Sequence, residues 1–459
     1  MPFATELSAG LSGQVIAPGD PQYDAARRVF PGAVDRRPAA IARVAHAPDV
    51  ARVIRFARER GLELAVRSGG HSPAGHGVSD GGIVVDLAGL HRLQIDPQRR
   101  VAWAETGLTA AQYTTAAGDH GLATGFGDTG SVGIGGITLS GGIGFLARKH
   151  GLTIDSLLAA DVVTADGEVL RTDAERHPDL FWAIRGGGGN FGVVTRLQLR
   201  LHPVDTVLGG MLILPATADV ITRFLEEADA APEALSTIAN VMTAPPLPFL
   251  PAEQHGRPVV MALLAYSGAV DVGERVIGRF RRLATPIADL VRPMPYAEIF
   301  GPEQEDYRPV AVARTMFVDD VDHAPAQAII DGLEASSAQM SVTQLRVLGG
   351  ALARVPPEAT AFGHRASRIL VNVAAVYGQP DERLRHEAWV AGLAAQLLDG
   401  DTGAYAGFLG EEGQERVRAA YPGRTWDRLR AVKRRYDPTN LFRLNQNIPP
   451  AAELAAKAA

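Results

Sequence analysis

The first part of the chain alternates amphipathic helical segments with short apolar runs. In the segment from Pro48 to Gly61, apolar side chains recur at the spacing of one helix face, and Gly61 ends the helix. Residues 109–120 predict a second helix and residues 179–184 the start of a third. The apolar positions on the face of the first helix are Val50, Val53, Ile54 and Ala57.

Apolar runs between these helices predict buried strands at 62–66, 82–87, 157–164 and 193–201. Residues 168–172 follow an Ala-Asp-Gly turn and predict a hairpin with the strand before it. Arg100–Glu105 alternates apolar and polar residues, which predicts an edge strand. The recurring strand–helix–strand order favours an α+β or α/β nucleotide-binding domain.

The pattern changes near Pro203. From 206 to about 424 the glycine clusters vanish, and helices alternate with apolar strands such as 259–266 and 369–376. This shift predicts a second domain. A basic helix at 426–435 then opens a polar C-terminal segment.

Composition narrows the class of protein. The chain has 459 residues, enough for two or three domains, and its 50 glycines cluster in a few stretches. A net charge of −6 argues against general nucleic-acid binding. No cysteine is present, which excludes disulfides, thiolate metal sites and a cysteinyl cofactor link. The sequence shows neither a signal peptide nor a run of about 20 apolar residues, so we expect a cytoplasmic protein without a membrane partner.

Three glycine-rich stretches, at 67–77, 125–151 and 185–192, carry the candidate chemistry. None contains the Gly-x-x-x-x-Gly-Lys-Ser/Thr pattern of a phosphate-binding loop. The second stretch resembles a Gly-x-Gly-x-x-Gly motif only loosely, and no acidic residue follows it at the right distance. A dinucleotide lying across several loops uses all three clusters and predicts FAD rather than NAD.

The loop at 67–72, Arg-Ser-Gly-Gly-His-Ser, is the centre of this hypothesis. A strand leads into it, and its two glycines let the backbone approach a ligand closely. Arg67 adds a fixed charge, and His71 follows directly as a nucleophilic side chain.

Four stretches resemble the FAD-linked oxidases of the vanillyl-alcohol-oxidase type, in particular the berberine-bridge-enzyme-like branch. They are residues 36–72, 130–167, 179–195 and 436–450, with a weaker match at 349–365. The resemblance implies an α+β fold: a two-part FAD-binding domain at 1–205 and 425–459, and an inserted substrate domain at 206–424. The inserted domain is expected to be an antiparallel sheet covered by helices.

The resemblance further implies that His71 is bonded covalently to the 8α-methyl group of the flavin. Family members with a second bond use a cysteine where Thr129 stands here. The link through His71 is therefore expected to be the only one. Val132 is expected beside the flavin carbon that meets oxygen, as in members that react well with oxygen.

The expected FAD-binding residues follow from the glycine loops and from the matching motifs. They are Arg67, Ser68, Gly69, Gly70, His71, Ser72, His76, Thr129, Gly130, Ser131, Val132, Gly135, Gly136, Gly141, Gly142, Gly192, Val193, Val194, Tyr436 and Asn445.

The catalytic base is the least defined part of the site. Many family members carry Tyr-x-Asn-Tyr before the tail motif, with the last tyrosine as base, whereas this chain has Tyr405-Ala-Gly-Phe408. Tyr405 is the expected catalytic residue, although an unshifted phenol needs help to act as a base at neutral pH. Gln344 and Asn372 are candidate substrate contacts, with ordinary packing as the alternative.

These observations predict an FAD-dependent oxidase that takes a hydride from an alcohol, a sugar or another small organic substrate. Molecular oxygen is the expected acceptor and hydrogen peroxide the product. The alternatives are a flavin dehydrogenase with another acceptor and a catalytically silent flavoprotein. The sequence is compatible with a monomer or a homo-oligomer.

Overall fold

The computed structural model describes residues 2–301, 306–400 and 403–452. Residues 453–459 of the predicted C-terminal segment, and Met1, 302–305 and 401–402 of the two predicted domains before it, lie outside the described residues. Helices and mainly antiparallel sheets make up the described chain, which confirms the α+β class.

The strands before residue 205 form three sheets. They are β1 (Gln14–Ile16), β2 (Ala40–Arg43), β3 (Leu64–Arg67), β4 (Ile83–Asp86), β5 (Leu93–Asp96), β6 (Val101–Glu105), β7 (Leu122–Ala123), β8 (Leu157–Val163), β9 (Val169–Asp173), β10 (Val193–Arg200) and β11 (His202–Pro203). The sheet orders are β1-β2-β4-β3, β5-β6-β10-β8-β9 and β11-β7. Only the first sheet contains parallel pairs, β2 with β4 and β3 with β4.

One large antiparallel sheet follows in the chain. Its strands are β12 (Thr206–Pro215), β13 (Leu235–Thr243), β14 (Pro258–Tyr266), β15 (Ala288–Asp289), β16 (Arg292–Pro295), β17 (Ala311–Val318), β18 (Met340–Val347) and β19 (Ile369–Val376). They lie in the order β15-β12-β14-β13-β18-β19-β17, and β16 also pairs with β12.

The α-helices pack around these sheets. They are α1 (Pro2–Ser8), α2 (Tyr23–Ala26), α3 (Ala47–Glu59), α4 (Ala110–Gly118), α5 (Ile134–Ser140), α6 (Ala147–His150), α7 (Pro178–Ile184), α8 (Ala218–Ala230), α9 (Val270–Arg281), α10 (His323–Ala335), α11 (Ala351–Arg354), α12 (Arg383–Leu397), α13 (Gln414–Ala419) and α14 (Thr425–Tyr436). Among the helices described, none has the length and apolar character needed to cross a bilayer.

Helices α8, α10 and α12 cover one face of the large sheet, and the segment around α6 packs against part of the other. Val371, Val373 and Ala375 of β19 point into a core that includes Phe224 of α8 and Ile329 of α10. Because side chains alternate along a strand, the even-numbered residues of β19 lie on the opposite face. That opposite face bears the candidate substrate contacts.

The prediction that Arg100–Glu105 is an edge strand is wrong, because β6 lies between β5 and β10. An antiparallel sheet can be buried on one face only, so an interior strand alternates as clearly as an edge strand. Ala102 and Ala104 of β6 point into the core. Trp103 points the other way, where the guanidinium of Arg171 lies 3.9 Å from its ring centroid.

The C-terminal segment is joined to the third glycine cluster by a buried lysine. Lys433 of α14 is fully buried, and its ammonium donates to the Asn190 carbonyl at 2.8 Å, the Phe442 carbonyl at 2.8 Å and the Asp437 carboxylate at 2.7 Å. These bonds hold residues 437–442 against the loop before β10. The division of the chain into domains stays a prediction.

Two histidine rings stack where α6 meets β11. The rings of His150 and His202 lie 4.0 Å apart at 14°. The Nε2 atom of His202 is 3.1 Å from the Ser156 hydroxyl, whereas Nε2 of His150 is buried without a hydrogen-bond partner. Burial lowers the pKa of each ring to about 4, and Lys149 adds to the effect. Both rings are therefore neutral in the folded protein at pH 7.

We expect the stability of the fold to fall as the pH drops from about 6.5 towards 4. In that window the unfolded chain binds protons at these histidines and the folded chain does not, so acid favours unfolding. His150→Phe keeps the stack but cannot be protonated. Urea unfolding at pH 7.5 and pH 5 measures the effect, and the variant is expected to lose less stability between the two than the wild type. An equal loss in both proteins contradicts this assignment.

Candidate functional site

The loop at 67–72 leaves the buried strand β3 and is held by charge pairing. Arg67 is buried and its guanidinium lies 3.1 Å from the Asp86 carboxylate of β4. Gly70 has a φ of +73°, a conformation that favours glycine. The Gly70 carbonyl accepts a hydrogen bond from the Phe30 N–H at 3.0 Å. The loop is therefore fixed from both sides by the sheet and by the segment after α2.

The first and second glycine clusters touch backbone to backbone. A Cβ placed on Gly69 would lie 2.3 Å from the nitrogen of Gly133, and one on Gly133 would lie 2.2 Å from the nitrogen of Gly69. No real side chain fits at either position, so the contact needs glycine at both. The Ser68 hydroxyl adds a 2.5 Å hydrogen bond to the Thr106 carbonyl.

A cavity of about 370 Å³ lies where the three glycine clusters and the C-terminal segment meet. Its wall contains all but five of the FAD-binding residues expected from the sequence: Arg67, Ser68, Gly69, Gly70, His71, Ser72, His76, Thr129, Val132, Gly135, Gly136, Gly192, Val193, Val194 and Asn445. Residues far apart in sequence thus form one wall.

The chemistry of this wall fits an FAD molecule. Gly136 and Gly189 line the cavity, and a Cβ on either would meet no atom within 4 Å, so both leave room for a ligand. The side-chain oxygen of Asn445 is buried without a hydrogen-bond partner. Polar backbone and an unpaired amide oxygen suit the sugar, pyrophosphate and ring carbonyls of a dinucleotide.

The five expected residues outside the wall have other surroundings, and their role in FAD binding stays a prediction. Gly130 accepts a hydrogen bond from Ala111 N–H at 2.9 Å, and the Ser131 backbone hydrogen-bonds His71. Gly141 and Gly142 pack beside Tyr405 and Thr153. Tyr436 lies on α14, where its hydroxyl donates to the Asp179 carboxylate at 3.0 Å.

Two histidines of the cavity wall are neutral at pH 7. Burial lowers the pKa of His71 to about 4, and the charge of Arg308 contributes. Burial also lowers the pKa of His76 to about 4, with Arg36 contributing. A neutral imidazole has a free lone pair on one nitrogen, so both rings can act as nucleophiles or hydrogen-bond acceptors.

Tyr405 lies at the end of the cavity near the large sheet. Its hydroxyl oxygen accepts a hydrogen bond from the Gly142 N–H at 3.0 Å. Burial raises its pKa to about 12, although that bond opposes the shift. The ring of Phe408 packs edge-on against it at 5.0 Å. Tyr405 is therefore protonated at neutral pH, with its hydroxyl hydrogen free for another acceptor.

A row of neutral polar side chains crosses the face of the large sheet opposite to α8, α10 and α12. Asn240, Gln344 and Asn372 are register neighbours on β13, β18 and β19. The Gln344 amide donates to the Asn240 side-chain oxygen at 2.9 Å, whereas the Asn372 side-chain oxygen is buried without a partner. Leu370, on the same face of β19, packs in one cluster with Tyr405. The row therefore lies on the face of the sheet that packs against Tyr405, and none of its three residues lines the cavity.

An ion pair links this row to the cavity wall. The Arg346 guanidinium lies 2.5 Å from the carboxylate of Asp128, a wall residue, and donates at 2.8 Å to Gln344. It also donates to the Ile143 carbonyl at 3.1 Å. Arg346 and Asp128 were not among the residues expected from the sequence, because only tertiary packing brings residues 218 positions apart together. Asp128 directly precedes Thr129, an expected FAD-binding residue, and this adjacency could have identified Asp128 from the sequence.

Comparisons with known proteins agree with this site. The FAD binding domain family model matches residues 38–173, and the berberine and berberine-like family model matches residues 401–449. The first model covers the first two glycine clusters, and the second covers Tyr405 and the C-terminal residues of the cavity wall.

Relatives extend the match over the whole chain. (R)-6-hydroxynicotine oxidase from Paenarthrobacter nicotinovorans is 32% identical over 461 residues, which cover 98% of this chain and 98% of the relative. Xylooligosaccharide oxidase from Thermothelomyces thermophilus is 28% identical over 90% of this chain and 88% of its own. The crystal structure of 6-hydroxy-D-nicotine oxidase from Arthrobacter nicotinovorans superimposes with a TM-score of 0.86 at 30% identity, covering 96% of this chain and 99% of that one. The chain therefore belongs to the berberine-bridge-enzyme-like family, and it is an FAD-linked oxidoreductase.

Proposed function

We propose that this protein is an oxidase whose FAD is held by one covalent bond, from His71. The observation that carries the proposal is the neutral, half-buried imidazole of His71 at the cavity wall, inside the glycine loop that contacts the second cluster. A neutral ring supplies the lone pair that such a bond needs. Thr129 lies on the same wall, and its hydroxyl cannot replace a thiolate, so a second bond has no donor there.

When bound here, FAD would supply the hydride acceptor and the redox chemistry with oxygen. The residues of the chain position the substrate and exclude water. We propose that the substrate, an alcohol, a sugar or another small organic molecule, lies between Tyr405 and the row of Asn240, Gln344 and Asn372. The unpaired Asn372 oxygen accepts a hydrogen bond from it, and Tyr405 donates one to it. The row carries no charge, which suits a neutral substrate.

The side chain of Val132 favours dioxygen as the electron acceptor over a larger or more polar molecule. Its small apolar side chain lines the cavity, and dioxygen is a small apolar molecule.

His71→Ala is expected to remove acid-stable flavin completely, because it removes the only proposed bonding atom. Precipitation with trichloroacetic acid should leave wild-type protein yellow and His71→Ala protein white, with its flavin in the supernatant. His76→Ala is the matched control, since it removes an equally neutral imidazole from the same loop, and it should stay yellow. Acid-released flavin from the wild type contradicts the covalent bond.

The choice of acceptor is tested by reoxidation. Protein reduced anaerobically by substrate should return to the oxidised spectrum on mixing with air-saturated buffer, and it should release one hydrogen peroxide per flavin. Stopped-flow absorbance measures the rate. Reoxidation that is slow with oxygen but fast with an artificial acceptor indicates a dehydrogenase. No bleaching across a broad panel of alcohols, sugars and amines indicates a silent flavoprotein.

Tyr405→Phe is expected to lower kcat/KM roughly tenfold, the effect of losing one hydrogen bond to the substrate. The shape of the pH profile between pH 6 and 9 should not change, because the Tyr405 pKa of about 12 lies above that range. Steady-state kinetics at several pH values checks both points, and acid-stable flavin should match the wild type. A far larger fall with loss of one limb of the profile identifies Tyr405 as a base instead.

A further inference from the structure

The ring of His71 is packed against a second ring that does not belong to the cavity wall. Phe30, in the segment between α2 and β2, stacks on His71 with ring centroids 4.3 Å apart and an angle of 16° between the planes. Aromatic stacking of this kind fixes the plane of both rings. Phe30 is not among the residues that line the cavity. The Phe30 ring therefore acts on a cavity ligand from behind the wall, through the ring of His71.

The position of Phe30 is itself fixed by the backbone. Its N–H donates to the carbonyl of Gly70, the residue directly before His71, at 3.0 Å. The neighbouring Arg28 carbonyl accepts from the Arg67 guanidinium at 3.4 Å. These two hydrogen bonds attach residues 28–30 to the glycine loop, and they fix the position of the Phe30 ring relative to His71.

A segment from the large-sheet region also contacts Phe30. The Tyr307 ring lies 6.2 Å from the Phe30 ring at 66°, an edge-on contact. The Gly32 N–H donates to the Pro309 carbonyl at 2.8 Å. Phe30 therefore contacts both Tyr307 and His71, and its ring covers one face of the imidazole.

We propose that Phe30 is a positioning residue for the covalent attachment of FAD, because its stacked ring holds the His71 imidazole at the angle and in the dry surroundings that bond formation requires. This inference rests on the proposed bond to His71. Reacting atoms must be close and aligned, and a freely rotating imidazole would be aligned for only part of the time. Burial that keeps the ring neutral, with a pKa of about 4, preserves its lone pair.

The attachment step is balanced with oxygen as the oxidant. One bond forms between a His71 ring nitrogen and the methyl carbon of the flavin. One methyl C–H bond and the imidazole N–H bond break, and the two protons and two electrons released reduce one molecule of dioxygen to hydrogen peroxide. The phenyl ring of Phe30 takes no part in this exchange.

The test measures the ratio of acid-stable to total flavin in protein purified at a fixed early time after induction, before the irreversible attachment is complete. Phe30→Leu keeps most of the apolar volume and removes the stack, and Phe30→Tyr keeps the stack. We expect the ratio to fall about fivefold in Phe30→Leu, the change expected from losing one aromatic stack, and to stay at the wild-type value in Phe30→Tyr. Flavin fluorescence of the band on a denaturing gel and the intact mass measure the attached fraction. Phe249→Ala, at an exposed aromatic ring, is the control.

The outcomes separate positioning from general stability. A merely structural role lowers the total flavin and the melting temperature in Phe30→Leu but leaves the ratio unchanged, and an unchanged ratio overturns the inference. A wild type that releases all its flavin in acid overturns the bond to His71 together with the inference. If Phe30→Leu does not fold, Tyr307→Ala decides: Tyr307 is 44% exposed, and its loss should lower the ratio by loosening Phe30. An unchanged ratio there overturns the inference as well.

Discussion

The backbone contact between Gly69 and Gly133 is the constraint on which the site depends. Neither position has room for a Cβ, so the first and second glycine clusters meet at the distance of touching main chains. This contact places His71 and Val132 on one cavity wall. A side chain at either glycine would push the loops apart, and the backbone N–H groups that suit an FAD molecule would no longer converge.

Buried charges hold the elements around this contact. Lys433 is fully buried, but its ammonium donates to two carbonyls and to the Asp437 carboxylate. Each of its three protons therefore has an acceptor, and the carboxylate neutralises its charge. Arg346 does the same between the large sheet and Asp128. Removing one partner of such a pair leaves an uncompensated charge, which is far more costly than the pair itself is stabilising. These ion pairs thus fix the cavity wall relative to the row of Asn240, Gln344 and Asn372.

The sequence predicted the helices and strands well where the periodicity was strong. The helix expected at Pro48–Gly61 is α3, and the strand expected at 62–66 is β3, shifted by one or two residues. It failed for β6, because alternation reports a solvent-facing sheet surface and not a place at the edge. Most expected FAD-binding residues line the cavity, because clustered glycines mark places where the main chain approaches a ligand or another main chain closely. Phe30 and Arg346 could not be found, since a single aromatic or basic residue carries no local signal and only tertiary contacts give it one.

The side chains around position 408 show what phenylalanine contributes there in place of tyrosine. Phe408 packs on Tyr405, and the guanidinium of Arg346 lies 5.1 Å from the Phe408 ring centroid. Phe408 thus contributes an apolar surface beside Arg346, whose charge is neutralised by Asp128. Tyr405 is itself protonated at neutral pH, because burial raises its pKa to about 12. A substrate between these rings and the row of Asn240, Gln344 and Asn372 meets hydrogen-bonding groups that carry no net charge. Under the proposed function, hydride transfer from the substrate therefore takes place without a strong general base among these residues. This favours substrates in which a lone pair on the atom next to the reacting C–H bond stabilises the cation that hydride loss produces.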